Sequence, residues 1–382
     1  MKEIREINVF TLGDSSLART WSNVPFLLTK TLEKSGYTVN RINITPNRLL
    51  QFIFNRFIHP LTRYIKKDNV FLYERTWMND LLTNQRIKRF NKRYPNADLN
   101  IFTNFSFLNR FSNKPNVLFC DWDLHIGINQ RMGRRPYYFE QLAIDRQRKV
   151  IEKSDLIISL FPKSAEDMKN RYAKENICHL KQNVINSLYQ KELIEKEIID
   201  QKNNSHDLLF IGSVNYISGA NLLIEAYQEL KSTFPSMKVN IVGITEEQFG
   251  RELPDDVHCY GYLDKADAME RDIYYQLLLN ARIFVNPTPV WGGYSSTIEA
   301  MYFYTPIIIS PYEEFTSEFG NEIEFGRYCR QFSVAELTQH ILSLFNSNVF
   351  SRSSMLAHQA VSEYTWDRYV AIMMEKIKQV CK

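Results

Sequence analysis

The stretch NPTPVWGGYSSTIEAMYFYTPIIIS (286–310) decides the fold. An apolar strand, RIFVNPT (282–288), runs into it, and a loop follows that carries Gly292 and Gly293. Three hydroxyl residues, Ser295, Ser296 and Thr297, then open a helix reaching to about Tyr304, and PIIIS (306–310) is a further strand. A strand, a glycine turn, a helix and a second strand in this order form the repeating unit of a parallel sheet. The start of such a helix presents unpaired backbone N–H groups and the positive end of its dipole, so it suits an anion. The glycines let a phosphate approach the backbone and the hydroxyls add donors, while Glu299 lies where it can accept from ribose hydroxyls. The plainer alternative is an N-capped helix with Ser295 as its cap and Glu299 in solvent.

Upstream of this stretch the same grammar repeats. LLFIGS (208–213) is a strand, residues 220–232 a helix, MKVNIVG (237–243) a strand, VHCYGYL (257–263) another, and residues 267–280 a helix. The first half begins afresh with EINVFTL (6–12), a turn at Gly13-Asp14-Ser15-Ser16, a helix over 21–35 stopped by Gly36, and YTVNRINI (37–44). Strands are expected at NVFLYE (69–74), LNIFTNF (99–105), NVLFCDW (116–122) and DLIISLF (155–161), with a charged helix over 136–153. Between the halves, YQKELIEKEIIDQKNNSHD (189–207) is polar and ends in a turn signal, which reads as a linker. The expected organisation is α/β, with two Rossmann-like domains facing each other across a cleft. Their bounds are 1–188 and 208–360, the linker is 189–207, and a final helix over 361–382 crosses back to the first domain. Ligands of open α/β sheets gather beyond the C-terminal ends of the strands.

Length and composition agree with this. At 382 residues the chain exceeds a single ordinary core, which stops growing near roughly 250–300 residues. Hydrophobic residues at 44% and charged residues at 24% exclude a disordered chain. A net charge of only +4, with no dedicated basic block, argues against a nucleic-acid partner. The five cysteines (Cys120, Cys178, Cys259, Cys329, Cys381) are scattered and form no CxxC pair, so neither a disulfide framework nor a zinc knuckle is expected. That usage fits a reducing compartment. The N-terminus lacks a signal-peptide core, and no apolar run approaches the roughly 18 residues of a membrane span. A cytoplasmic location is expected.

The order LLFIGSVNYISGANLLIEAYQEL, MKVNIVG, VHCYGYLDK and NPTPVWGGYSSTIEAMYFYTPIIIS resembles the donor-binding domain of GT-B glycosyltransferases, in particular the retaining, nucleotide-sugar-dependent family four (glycosyl transferases group 1). RMGRRPYYFEQLAIDRQRKVIEKSDLIISLFPKSAEDMKNRY (131–172) is similar to the stretch closing the acceptor domain of those enzymes, and EYTWDRYVAIMMEKIKQV (363–380) to their last helices. The resemblance implies a metal-independent hexosyltransferase-like enzyme of polysaccharide or glycoconjugate synthesis. Its donor would be a UDP- or GDP-type nucleotide sugar rather than a CMP-type one, its acceptor a glycan or lipid-linked glycan, and it would need no cofactor. It implies a donor site built from Gly212, Ser213, Tyr262, Lys265, Trp291, Gly292, Gly293, Ser295, Ser296, Thr297 and Glu299, with Glu299 on the ribose.

Two departures stand out. The family's carboxylate eight residues before the helix glutamate is here Trp291, and its arginine and lysine for the donor diphosphate are here Ser213 and Ser218. Hydroxyls do not replace the charge of those cations. Either the donor carries one phosphate (a CMP-linked acidic sugar), or Lys265 or an arginine of the first domain supplies the charge, or the site is a non-catalytic glycan-binding or partner module; the second is preferred. In the first domain, NVLFCDWDLHIG places Asp121, Asp123 and His125 beyond a strand end. The resemblance puts an aspartate or histidine there facing the donor sugar, with Asp121 first and His125 second; the alternative is that Asp123 caps a turn. Gly13, Asp14 and Ser15 would line the cleft opposite the donor phosphates. Finally, NRLLQFIFNRFIHPLTRYIKK (47–67) interleaves Arg48, Arg56, Arg63, Lys66 and Lys67 with large apolar residues. Such a segment either lies in the headgroup layer of an anionic membrane or packs on the first domain with its basic edge in water. Arg131, Arg134 and Arg135 would serve an anionic acceptor or solvate a loop.

Overall fold

A computed structural model describes residues 3–129, 132–289 and 292–380. The chain divides into two units. The first runs to Asn183 and takes back the chain from Trp366; the second is Val184–Thr365.

The first unit is built on six parallel strands: β1 (Glu6–Thr11), β2 (Thr38–Asn43), β3 (Leu99–Phe102), β4 (Asn116–Cys120), β5 (Leu156–Ser159) and β6 (Ile177–Cys178). They lie in the order β2-β1-β3-β4-β5-β6. Every residue of β3 (LNIF) and β5 (LIIS) is buried, as expected where helices cover both faces of a parallel sheet. The register sets Val9 beside Ile101 and Ile101 beside Val117, so one layer of β-branched side chains crosses the sheet. The helix Trp366–Val380 belongs to this unit. Its buried face holds Trp366, Tyr369, Val370, Met373, Met374 and Ile377, and Phe119 of β4 packs 5.9 Å from the Tyr369 ring.

The second unit repeats the plan with β7 (Asp207–Ile211), β8 (Lys238–Val242), β9 (Val257–Gly261), β10 (Ile283–Asn286), β11 (Ile307–Ile309) and β12 (Gly326–Tyr328), again all parallel. The order is β12-β11-β10-β7-β8-β9. Counted within the unit this is 3-2-1-4-5-6 from the β9 edge, the doubly wound order whose direction reverses between its first and fourth strands. The reversal lies between β7 and β10. In the first sheet it lies between β1 and β3.

Three expectations differ from what is found. NVFLYE (69–74) forms no strand: only Tyr73–Arg75 adopts a short helical turn. Side chains satisfy that backbone instead of a ladder, since the Val70 N–H donates to Glu140 Oε1 (2.7 Å) and the Val70 carbonyl accepts from Arg75 (2.7 Å). The polar segment 189–207 is not a free linker, because Glu195–Asn203 is a helix. Its Lys202 is fully buried, with Nζ donating to the carbonyls of Leu278 (2.5 Å) and Ala281 (2.9 Å) and to Thr305 Oγ1 (2.9 Å), so that ammonium ties the helix into the second unit. The unit boundaries therefore fall at 183/184 and 365/366.

Candidate functional site

In the second unit the reversal between β7 and β10 opens a crevice of about 110 Å³ at the strand C-termini. Ile211 and Gly212 close β7, and Asn286 closes β10. The Asn286 amide fastens the two strand ends together: Nδ2 donates to the Ile211 carbonyl (3.3 Å), and Oδ1 accepts from Thr288 Oγ1 (2.8 Å) and the Thr288 N–H (3.3 Å). Gly292 and Gly293, then Ser296 and Thr297 of the helix Ser295–Tyr302, form one wall, and Tyr216, Ile309 and Tyr312 complete the lining.

Close packing explains two glycines. The helix Ile217–Leu230 presses Gly219 onto the loop after β10, where a Cβ would come within 2.9 Å of the Thr288 nitrogen. At Gly292 a Cβ would collide with the Tyr216 hydroxyl and lie 3.1 Å from its Cζ. The Tyr216 ring thus sits directly on the Gly292 backbone. Burial holds the Tyr312 hydroxyl well above the usual tyrosine range, with Tyr216 adding to the shift, and Thr297 shares a hydrogen bond with it. It stays neutral.

Among the described residues lining this crevice none is charged. Lys265, expected to supply positive charge, is committed elsewhere. Its Nζ lies 2.8 and 3.0 Å from the two Glu299 oxygens, 3.3 Å from the Asn186 carbonyl and 4.3 Å from the Tyr274 ring centroid. Glu299 is 2% exposed and also accepts from the Tyr274 hydroxyl (2.9 Å). Burial, and then Glu299, push the Tyr274 hydroxyl well up, so it remains a donor. Lys265, Glu299 and Tyr274 form a buried polar cluster beside the crevice. Ser295 turns away from the lining, its Oγ accepting from Asn186 Nδ2 (3.1 Å). Ser213, Ser218 and Tyr262 are exposed, and Trp291 lies outside the described residues.

Of the expected donor residues, then, the structure gathers Gly212, Gly292, Gly293, Ser296 and Thr297. Tyr216, Asn286, Thr288 and Tyr312 were missed. Asn286 and Thr288 carried a signal, the polar residues ending an apolar strand before a proline; Tyr312 arrives from the loop after β11 and carried none.

The first unit presents a different kind of site. Asp123 is fully buried and caps the helix Leu124–Asn129 by accepting the Ile126 N–H (2.7 Å). The same carboxylate accepts from Arg171 (3.0 Å) and the Tyr172 hydroxyl (2.5 Å), so Asp123 is a packing residue. His125 follows on that helix, half-buried, within 3.0 Å of Asn129 Nδ2. Burial and the nearby Arg171 hold its pKa below the ordinary 6.5, against the pull of Asp123. Asp121 is half-buried at the end of β4, its carbonyl accepting from Ser159 Oγ (2.5 Å). In the loop after β1, Gly13 adopts φ +118°, and Asp14 accepts from Ser16 N (2.8 Å) and Oγ (2.7 Å), closing an Asx turn. Ser15 is buried, and its carbonyl accepts from Arg41 (2.6 Å). Arg134 is engaged by Glu140 (2.7 Å) and Asp68 (2.8 Å) and is thus withdrawn from any acceptor; Arg135 is exposed, and Arg131 lies outside the described residues. Among the described residues no group of three or more His, Cys, Asp or Glu could hold a metal ion.

Residues 205–347 match the family described as glycosyl transferases group 1. The chain has the GT-B fold, and the matched segment is similar to a group 1 glycosyltransferase domain. No curated protein sequence matches it. Among solved structures it is similar to TarM (TM-score 0.57, 14% identity), covering 77% of this chain. It spans only 58% of the TarM chain. It is similar to sucrose-phosphate synthase from Thermosynechococcus elongatus (TM-score 0.67, 15% identity, 98% of each chain covered). The third is Anabaena HepE, solved in complex with UDP and glucose (TM-score 0.59, 12% identity, 98% of this chain and 100% of that one). At these identities the likenesses establish the fold, and the matched family domain coincides with the unit that holds the crevice between β7 and β10.

Proposed function

We propose that the protein is a glycosyltransferase that moves a sugar from a nucleotide-sugar donor to a glycan acceptor, free or lipid-linked, without a metal or cofactor. The crevice at the reversal of the group 1 domain carries this reading. Its hydroxyls, its amide and the start of the helix Ser295–Tyr302 suit phosphate oxygens, and Ile211, Ile309 and the tyrosines suit a base or sugar face. HepE binds UDP and glucose on the same fold, which supports a nucleoside diphosphate as leaving group.

The chemistry left to the protein is modest. A departing nucleotide gains charge on its phosphates as the glycosidic bond breaks, and donors aimed at those oxygens lower the barrier. Ser296, Thr297 and the backbone after Gly293 line the crevice and would do this. For the acceptor, Asp121 and His125 are the candidates in the first unit. His125, held neutral near pH 7 by its depressed pKa, is able to accept a proton from a hydroxyl. Asp121→Asn should lower turnover and leave nucleotide affinity intact; unchanged turnover would shift the role to His125.

The uncharged lining favours a second reading, a donor bearing one phosphate, as in a CMP-linked acidic sugar, because one anionic charge needs less compensation than two. A thermal-shift screen with UDP, GDP, TDP, ADP and CMP separates them, since a ligand that binds only the folded state raises its stability by RT ln(1 + [L]/Kd). A shift with a diphosphate supports the first reading, and a shift with CMP alone the second. No shift with any nucleotide sinks both and leaves a non-catalytic module.

A further inference from the structure

The segment 47–67 departs from what an amphipathic helix on a soluble domain shows. It winds from Arg48 to Ile65 through a single π turn at Phe54–Ile58. Its inner side is thin. Phe54 is buried between the rings of Phe71 (5.9 Å) and Tyr73 (6.0 Å), and Gln51 donates to Glu74 (2.6 Å). The outward side should then be polar. Instead, Leu49, Phe52, Phe57, Leu61, Tyr64 and Ile65 are each more than 60% exposed. Three- and four-residue steps connect most of them, so they form a stripe along the outer face rather than scattered apolar residues. Phe71 extends the stripe onto Phe139 (5.3 Å), which is half exposed beside Tyr138.

The charges within 47–67 are all of one sign. Arg48, Arg56, Arg63, Lys66 and Lys67 are exposed, and residues 47–67 contain no Asp or Glu. That uniformity selects the occupant. A second copy of the same face would set five cations against five others, and a two-fold interface is self-complementary by necessity. An anionic bilayer offers hydrocarbon for the aromatic and aliphatic side chains at the depth of its headgroups, and phosphates for the flanking cations. Among the described residues no helix is long and apolar enough to cross a membrane, so the segment would lie on the surface.

We propose that the outer face of 48–65, with Tyr138 and Phe139, docks the protein on an anionic lipid bilayer. This stands on geometry in the first unit and is independent of the nucleotide reading.

The test is sedimentation of the full chain with vesicles of phosphatidylcholine alone or mixed with phosphatidylglycerol. The wild type should bind the mixed vesicles, bind the neutral ones far less, and release as salt is raised. Phe57→Ser/Leu61→Ser/Ile65→Ser should weaken binding by roughly tenfold or more with an unchanged thermal transition, because all three side chains point to solvent. Arg56→Gln/Arg63→Gln/Lys67→Gln should abolish the preference for phosphatidylglycerol. A wild type that ignores anionic vesicles overturns the proposal, as does equal binding to neutral ones. A stable dimer that the serine variant dissociates would assign the stripe to a second copy instead.

Discussion

The C-terminal strand ends of the two sheets have been finished in opposite ways. In the first unit the region beyond β4 is closed by ionic packing: a fully buried carboxylate, Asp123, is saturated by an arginine, a phenol and a helix N–H. In the second unit the region beyond β7 and β10 holds hydroxyls and an amide, has no charged lining residue among the described residues, and is left hollow. A buried ion pair nearby, Lys265 with Glu299, turns its charge inward. In both units charge is spent on holding loops and helices, and an aspartate beyond a strand does not by itself mark a reaction site.

The largest effect that sharpens this contrast is Asp123→Ala. It removes a helix cap and strands Arg171, so urea denaturation should show a loss of about 3–5 kcal/mol. Full stability with lost turnover would break the contrast and make Asp123 a reacting group. Next comes Lys265→Met, which leaves Glu299 buried with Tyr274 as partner. A loss of about 3 kcal/mol is expected, with much of it restored in Lys265→Met/Glu299→Leu, since the pair then disappears together. A double variant no more stable than the single would show that the cluster does more than pack. For the crevice itself, Gly292→Ala displaces Tyr216, and nucleotide affinity measured by calorimetry should fall about tenfold, or about 1.4 kcal/mol; retained affinity would place the ligand elsewhere.

The smallest effect concerns pH. The His125 pKa is depressed in the folded state, so the neutral ring is the folded form. As pH falls below 6.5 the unfolded chain takes up the proton first, and stability declines until the folded site protonates as well. Above that window the histidine contributes no pH dependence. Melting curves from pH 7 downward should slope less in His125→Gln than in the wild type.

Much of the frame was legible because buried parallel strands announce themselves. LLFIG and PIII are apolar runs and MKVNIV is rich in Val and Ile, all between turn residues, and each appears as a strand within a residue or two of its expected place. NVFLYE failed because an apolar run is also what a buried irregular segment looks like, and Glu140, seventy residues away, captured its backbone. The polar run 189–207 concealed a helix because its anchor is a lysine, a residue that composition assigns to solvent; three oxygens from residues 278 to 305 hold it inside. The glycine and hydroxyl wall of the crevice was local in sequence and readable. Its opposite side was not, since Tyr216 and Tyr312 lie nearly a hundred residues apart and meet only once the strands reverse. Lys265 was a natural guess for phosphate charge; only the packing of Tyr274 and Glu299 around it shows where that charge goes.

The helix Trp366–Val380 has a consequence for how the chain matures. It supplies Trp366, Tyr369 and Met373 to a core whose other members lie before residue 184. During synthesis the second unit has all its strands in hand while the first still lacks this piece, although the first was made earlier. Domains emerging in order normally complete in order. Here the later unit closes first, and the earlier one waits with the ring of Phe119 packed on Trp21 but lacking Trp366 and Tyr369 until this helix arrives.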